Sequence, residues 1–369
     1  MMLDAKTDRA RGYMLLGIIY MHALIAFAST RAPEGVMASF VQIKLLAPHV
    51  SVFFLLSGMG ARRIARRSVF QITRQSVALV LLAIISHVSG FLIQVAVEGT
   101  GGGFGRSLRM LVEPILLGTG YSTFVAWFFL SLAMARFLTY LLYRNMAVFA
   151  AVVVGLTGLV LLARQLGLPD NIYEWRTWPP AFLFFLIGTR LPAYLVIPVP
   201  LGFAAALGSA VLTWFNRPGV LIDGPCLECD ITFVSQPMVG GFGSFPVFLV
   251  QELLFFAFLI SVSRLARPEW VTRLPYFFGK YSMQILLLNG WFLLVFNAWL
   301  LPLLPERDSA LLFAGLLGGG ALAHRALYVL LKRPIDMMLL LSFRAADLAE
   351  SCAARLARRD HRIKRRIIK

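Results

Sequence analysis

Long apolar runs separated by short polar segments occupy most of this chain. A membrane-spanning helix needs about 20 mostly apolar residues, and windows of that length recur along the sequence. The pattern therefore predicts an all-α, polytopic membrane protein with about ten transmembrane helices. The predicted spans are 12–30, 39–60, 76–97, 121–143, 146–164, 179–197, 199–215, 244–264, 277–301 and 309–331.

Two segments depart from this pattern. Residues 107–118 form a short stretch that we expect at the membrane interface. Residues 333–369 carry apolar side chains at helical spacing among many arginines, which predicts an amphipathic helix on anionic lipid. We accordingly expect a transmembrane domain over 1–332 and a basic cytoplasmic tail over 333–369.

Composition narrows the class of protein further. Hydrophobic residues make up 59% of the 369 positions and charged residues only 14%, whereas soluble domains carry about 25% charged residues. The mean hydropathy is +0.77. These values exclude a soluble globular protein and a disordered one, and they identify the lipid bilayer as the main partner.

The net charge of +17 would indicate nucleic-acid binding in a soluble protein. With the amino terminus in the cytoplasm, however, the cytoplasmic segments and tail hold 26 of the 35 Lys and Arg residues, the outer segments hold 8, and Arg325 lies within a span. Cytoplasmic loops of membrane proteins carry such an excess. We therefore predict cytoplasmic termini and no nucleic-acid partner.

The first predicted span contains a cation and an imidazole on one face. Arg11 and His22 are eleven residues apart, which is three helical turns and about 16 Å along the axis. Charged and ionisable groups within a bilayer are costly and are often functional. A topological arginine with a histidine bonded to a neighbouring helix is the alternative interpretation.

Four arginines follow Gly60, namely Arg62, Arg63, Arg66 and Arg67. If this stretch is helical, arginines three and four residues apart share one face. Arginine side chains bind phosphate oxygens well, so the cluster is a candidate site for a phosphorylated cofactor. Topological charge or binding of lipid headgroups explains it equally simply.

Six motifs, taken together, resemble those of the membrane acyltransferase-3 family over about residues 8–335. They are Asp8-x-x-Arg11-Gly12 with His22, Val52-Phe53-Phe54-Leu55-Leu56-Ser57-Gly58, Arg63-x-x-Arg66, Trp127-Phe128-Phe129-Leu130, Phe184-Phe185-Leu186-Ile187-Gly188 and Phe278-Gly279-Lys280-Tyr281-Ser282. One position departs from the family pattern, because Asn289 stands where the family often has a histidine.

The resemblance implies a membrane O-acyltransferase in the inner membrane of a bacterium. Such an enzyme moves an acyl group, acetyl first and succinyl second, from cytoplasmic acyl-CoA to a hydroxyl of an extracytoplasmic or lipid-linked glycan, such as an exopolysaccharide, an O-antigen or a periplasmic glucan. The resemblance also implies that His22 is a general base or an acyl carrier beside Arg11, and that the arginines after Gly60 hold coenzyme A. A polysaccharide synthase or export complex is then a possible partner. A secondary transporter and a non-catalytic subunit of an export complex are the competing hypotheses.

Other polar residues are candidates for supporting roles. Ser57 and Tyr20 are candidate hydrogen-bond partners of His22, and Asn289 is a candidate substrate contact that cannot shuttle a proton near neutral pH. Glu252 and Arg325 are expected to pair within the bilayer or to contact substrate.

Three further predictions concern histidine and cysteine. His49 is either functional or a packing residue. Cys226 and Cys229, in a predicted outer loop, form a disulfide or remain two thiols. They are a weak metal signal, and we predict no metal site.

Overall fold

The structure is a computed structural model that describes residues 5–99, 103–168, 171–192, 195–217, 240–265 and 268–367, with side chains described as far as residue 348 apart from Trp270. The described residues form helices and contain no β-strand, which confirms the predicted all-α class. Cys226 and Cys229 lie outside the described residues.

The described chain folds into a series of α-helices that we number in order. They are α1 (Ala5–Ala28), α2 (Met37–Leu46), α3 (Val52–Gly60), α4 (Val69–Glu98), α5 (Gly103–Leu117), α6 (Ala126–Leu142), α7 (Met146–Gln165), α8 (Trp178–Arg190), α9 (Val199–Phe215), α10 (Phe245–Ser263), α11 (Glu269–Lys280), α12 (Ser282–Val295), α13 (Ala310–Ala314) and α14 (Gly320–Ile367). Short 3-10 turns and two π-helical turns, Phe296–Leu300 and Gly315–Gly319, connect some of them.

Seven helical stretches of the described chain are long and apolar enough to cross a membrane. They are Ala5–Ala28, Met37–Gly60, Val69–Glu98, Met146–Gln165, Phe245–Ser263, Ser282–Leu303 and Ala310–Leu348. The helices α6 and α9 are apolar but shorter, and α8 spans only 13 residues and ends at Arg190. The chain is therefore a multi-pass membrane protein.

Local sequence explains where several helices begin. Ser68 caps α4 and accepts a hydrogen bond from the backbone of Gln71, whose side chain reaches back to the backbone of Ser68. This reciprocal pair satisfies two backbone donors that a helix start would otherwise leave free. Asn145 caps α7 and Ser309 caps α13, and each side chain accepts one hydrogen bond from a backbone nitrogen of the helix.

Two glycines let α1 and α11 pack backbone against backbone. A Cβ atom on Gly12 would overlap the backbone of Pro275, and a Cβ on Gly279 would overlap the backbone carbonyl of Asp8. Small residues allow helices in membranes to approach this closely. These glycines of the Arg11-Gly12 and Gly279-Lys280 motifs thus serve helix packing.

A second glycine crossing joins α3 to α8. A Cβ on Gly58 would overlap the carbonyl oxygen of Phe185, and a Cβ on Gly188 would overlap that of Leu55. Phe185 and Leu55 are themselves fully buried. The Ser-Gly and Phe-x-x-x-Gly motifs therefore meet each other in the fold and fix one helix pair.

The last helix continues beyond the bilayer-length apolar run. α14 extends from Gly320 through Pro334 to Ile367 without interruption, so the predicted tail is the continuation of the last membrane-spanning helix. Arg74 of α4 donates a hydrogen bond of 2.9 Å to Asp347 of α14. This contact attaches the first part of the basic tail to the basic end of α4.

Candidate active site

His22 lies on α1 against a small aromatic chamber. Its ring meets Phe124 edge to face, with 4.0 Å between the ring centroids. A cavity of about 10 Å³ beside the imidazole is lined by Ile18, Val50, Phe53, Phe124, Val125, Trp127, Phe128 and Leu286. That volume is close to the minimum for one water molecule, so His22 faces a small, apolar pocket.

The imidazole of His22 is the first member of a buried polar chain. The side-chain nitrogen of Asn289 lies 3.2 Å from His22 Nδ1, and the side-chain oxygen of Asn289 lies 3.2 Å from His324 Nε2. His324 Nδ1 in turn lies 2.7 Å from the carbonyl oxygen of Gly320. Asn289 and His324 are completely buried, so the chain joins α1, α12 and α14 in the interior.

Hydrogen-bond chemistry determines which group donates and which group accepts at each contact of this polar chain. A carbonyl only accepts, so His324 Nδ1 must carry the proton that it donates to Gly320. A neutral His324 then has a lone pair at Nε2, which needs a donor, and only the amide nitrogen of Asn289 supplies one. Exchanging the amide oxygen and nitrogen of Asn289 moves no other atom and is the usual way to satisfy such a network.

This orientation fixes the tautomer of His22. With its nitrogen towards His324, Asn289 presents its oxygen to His22 Nδ1, which therefore donates a proton. His22 Nε2 is then the unprotonated nitrogen with a free lone pair. The opposite amide orientation would require a charged His324 in an apolar interior, where an unpaired charge is expensive. The network therefore leaves His22 Nε2 able to accept a proton.

Asn289 and His324 replace the partners expected from the sequence. Tyr20, instead of contacting His22, donates its hydroxyl hydrogen to the side chain of Gln42 on α2. The hydrogen bonds of the described residues include none between Ser57 and His22. Asn289 lies 267 positions from His22 along the chain, a separation that no local motif reveals.

Arg11 is held at the other end of the same helix face. Its Nη2 donates to the carbonyl oxygen of Leu56 at 2.9 Å, and its Nη1 lies 3.8 Å from Asp8 Oδ1. The side chain is 14% exposed, and its Nε is buried without a hydrogen-bond partner. Arg11 therefore keeps an unused donor in the interior.

Two further arginines converge near Arg11. Arg67 and Arg136 both donate to the side-chain oxygen of Gln75, at 2.5 Å and 3.2 Å, and the charges of Arg67 and Arg11 both act on Arg136. Within the described part of the chain, neither Arg67 nor Arg136 forms an ion pair with a carboxylate. Because buried charges are usually paired, this group is short of an anion. Sequence reasoning treated Arg136 only as a topological charge.

The arginines that follow Gly60 divide into two pairs. The helix α3 ends at Gly60, and residues 61–66 form turns and a 3-10 segment, so the continuous helical face expected from the sequence does not form. Arg63 and Arg66 are exposed, whereas Arg62 and Arg67 are partly buried. Burial lowers the pKa of Arg62 below its usual value, and its Nε has no partner. The polyanion site suggested by the structure is thus Arg11, Arg67 and Arg136.

A second buried pair corrects another expectation. Glu252 does not meet Arg325, because its Oε1 lies 2.8 Å from His49 Nδ1 and both residues are almost completely buried. His49 also stacks on Phe255, with ring centroids 3.9 Å apart. Arg325 is exposed and lies over the ring of Phe277. The other carboxylate oxygen of Glu252 has no hydrogen-bond partner.

Glu174 is a buried carboxyl group outside the membrane-spanning helices. It lies in the 3-10 segment Ile172–Thr177, and its backbone has a positive φ of 56°. Asn171 donates a side-chain hydrogen bond of 2.5 Å to it. Burial nevertheless raises the pKa of Glu174 to about 7.

Comparisons with known proteins do not identify a family. The chain matches no protein-family model, no curated protein and no solved structure. Among the described residues, no group of three or more His, Cys, Asp and Glu side chains is placed to hold a metal ion. The assignment of function therefore depends on the motifs and on the geometry around His22.

Proposed function

We propose that this protein is a membrane O-acyltransferase of the acyltransferase-3 type. It transfers an acyl group, acetyl or succinyl, from cytoplasmic acyl-CoA to a hydroxyl of an extracytoplasmic or lipid-linked glycan. It crosses the inner membrane of a bacterium about ten times, with both termini in the cytoplasm. The observation that carries this proposal is the contact of Asn289 with both His22 and His324, from which we infer that His22 Nε2 is unprotonated.

The arginine group would bind the donor. Arg11 lies about 16 Å before His22 along α1, and the charges of Arg11 and Arg67 both act on Arg136. Coenzyme A carries several phosphates, and guanidinium groups bind phosphate oxygens through charge-assisted hydrogen bonds. A donor anchored at these arginines would extend its thioester along α1 towards His22.

The reaction then needs one base and one proton donor. His22 Nε2 takes the proton from the acceptor hydroxyl while the hydroxyl oxygen attacks the thioester carbonyl carbon. The C–S bond breaks, and the thiolate of coenzyme A receives the proton back from the His22 imidazolium. The products are an ester and free coenzyme A thiol. During the step, the hydrogen bond from His22 Nδ1 to Asn289 would hold the ring in place, as general base catalysis requires.

A comparison of surface glycans tests this proposal in cells. A strain that lacks the gene is complemented with the native chain, with His22→Ala or with His361→Ala, which removes a histidine of the tail as a matched control. Mass spectrometry of the extracted glycans should show ester-linked acyl groups with the native chain and His361→Ala, and none with His22→Ala. Equal acylation in the gene-deleted strain and in the native strain would contradict the proposal.

Secondary transport is the second candidate function, and the His49–Glu252 pair favours it. Ionisable pairs inside a membrane commonly mark ion or proton pathways, and Glu252 keeps one oxygen without a hydrogen bond. A transporter would lose solute uptake in Glu252→Gln and keep it in His22→Ala. An acyltransferase loses glycan acylation in His22→Ala, so the two variants separate the candidates.

A further inference from the structure

A cavity with both polar and apolar lining residues lies beside the chain segment that carries Phe124. Its volume is about 940 Å³, within the range of small-ligand sites. It is bounded by α4, α5, residues 119–122 and α12. Its polar lining includes Gln94, Arg109, Glu113, Thr119, Tyr121 and Ser122.

One short segment connects this cavity with His22. Residues 118–125, which we call the linking segment, join α5 to α6. Tyr121 and Ser122 of this segment line the cavity, and Phe124 lies edge to face against His22. Phe124 and Val125 also line the small chamber of His22. The linking segment is therefore the wall between the two spaces.

The central part of the linking segment is anchored to α4. The backbone nitrogen of Ser122 donates to His87 Nδ1 at 3.0 Å, and the hydroxyls of Thr123 and Ser86 lie 2.7 Å apart. His87 also meets the ring of Tyr121 edge to face. His87 thus has a structural role, because it holds the segment that carries both Tyr121 and Phe124.

The lining suits a ligand with many hydroxyl groups. Arg109 and Gln94 supply donors, Glu113 and Gln94 supply acceptors, and Ser122 supplies either. Tyr121 adds an aromatic ring beside them. Arg109 and Glu113 pair with each other at 2.6 Å, so the carboxylate and the guanidinium partly neutralise one another. Hydrogen-bond donors and acceptors around an aromatic ring, as around Tyr121 here, are the groups that bind a sugar.

We propose that this cavity binds the sugar acceptor and that Phe124 controls its access to His22. This inference rests on the proposed function and adds to it the place of the acceptor. The acceptor hydroxyl would reach His22 past the linking segment, while the donor approaches along α1 from the arginines. When the acceptor is absent, Phe124 keeps water away from His22 and from the thioester.

The first test separates acceptor binding from donor binding. Membranes that contain the native chain, Tyr121→Ala or Gln94→Ala are given radiolabelled acetyl-CoA and increasing amounts of the surface glycan fraction from the gene-deleted strain. Phe104→Ala is the matched control, since Phe104 is 84% exposed on α5 and does not line the cavity.

The two cavity variants should raise the half-saturating glycan concentration about tenfold and leave that of acetyl-CoA unchanged, as a purely acceptor-binding role predicts. Native membranes that transfer label normally, with unchanged glycan dependence in both variants, would overturn the location of the acceptor site alone. Native membranes that transfer no label would overturn the proposed function and this inference with it.

The second test examines Phe124. Phe124→Ala and the milder Phe124→Leu should increase the hydrolysis of acetyl-CoA to acetate and free coenzyme A without glycan, by about tenfold for alanine. Water is then the nucleophile in place of the sugar hydroxyl. Hydrolysis that stays at the native rate in Phe124→Leu, in a protein that still acylates glycan, would overturn the gating role of Phe124.

Discussion

Asn289 and His324 face each other in the buried interior, with 3.2 Å between the side-chain amide of Asn289 and His324 Nε2. Because the backbone of Gly320 fixes the proton on the other nitrogen of His324, the amide turns its oxygen to His22. In the proposed reaction, the amide of Asn289 performs the orienting role that a carboxylate or a second histidine performs elsewhere. Asn289 would then be a positioning residue that acts through His22.

The first prediction concerns this positioning. Asn289→Leu keeps the volume but removes both hydrogen bonds, so kcat should fall about 10- to 100-fold while KM for acyl-CoA stays unchanged. Asn289→His offers one donor and one acceptor, as the amide does, and should retain more activity than Asn289→Leu. Steady-state kinetics on both variants measure this. If both lost activity equally through lower protein yield, the role would be structural only.

The second prediction concerns the donor site. Arg67→Met and Arg136→Met should each raise KM for acyl-CoA about tenfold, because a charge-assisted hydrogen bond contributes roughly 1.5–3 kcal/mol. Arg63→Met and Arg66→Met remove exposed arginines and should change KM less than twofold. Arg325→Met is an additional control. A larger rise in KM for Arg63→Met and Arg66→Met would instead indicate that the two arginines of the Arg63-x-x-Arg66 motif bind the donor.

The third prediction concerns the crossing of α1 and α11. Gly12→Ala places a methyl group on the backbone of Pro275, and such overpacking costs about 1–3 kcal/mol. Gly17→Ala on the same helix meets no atom within 4 Å and should not destabilise the protein. Thermal unfolding in detergent should show a lower Tm for Gly12→Ala only. Equal Tm values for the two variants would refute the close crossing.

The fourth prediction concerns pH. The pKa of Glu174 is raised in the folded protein to about 7 from 4.5. The folded protein therefore keeps the Glu174 carboxyl group protonated to a higher pH than the unfolded chain does. Its contribution to stability is complete below about pH 4.5 and is lost as the pH rises to about 7, by on the order of 2–4 kcal/mol. Glu174→Gln should remove this loss, and Glu34→Gln, at an exposed position, should not. Tm measured from pH 4.5 to 7.5 shows the difference.

Local sequence was enough to predict the class of fold. Inside a bilayer the backbone must satisfy its hydrogen bonds within one segment, so apolar length alone indicates a helix. The seven long apolar helices coincide with predicted spans. The predicted span 179–197 was too long, because α8 ends at Arg190.

The hydrogen-bond and ion-pair partners of the buried polar residues depend on helix packing, and the sequence did not predict most of them. Glu252 meets His49, 203 positions away, and not Arg325. The break after Gly60 turns Arg62 and Arg67 inward, which no spacing of arginines indicates. Arg136 and His324 become candidate site residues only when α6 and α14 are placed beside the other helices. Sequence motifs predicted Arg11 and His22 as candidates because both lie on one helix.

Transfer of label from acetyl-CoA by the purified protein in lipid vesicles tests the central claim most directly. With radiolabelled acetyl-CoA and the glycan fraction from the gene-deleted strain, the native protein should produce alkali-labile labelled glycan and an equal amount of free coenzyme A thiol. His22→Ala, at equal folded amount, should produce neither. Equal transfer by His22→Ala, or none by the native protein, would contradict the account.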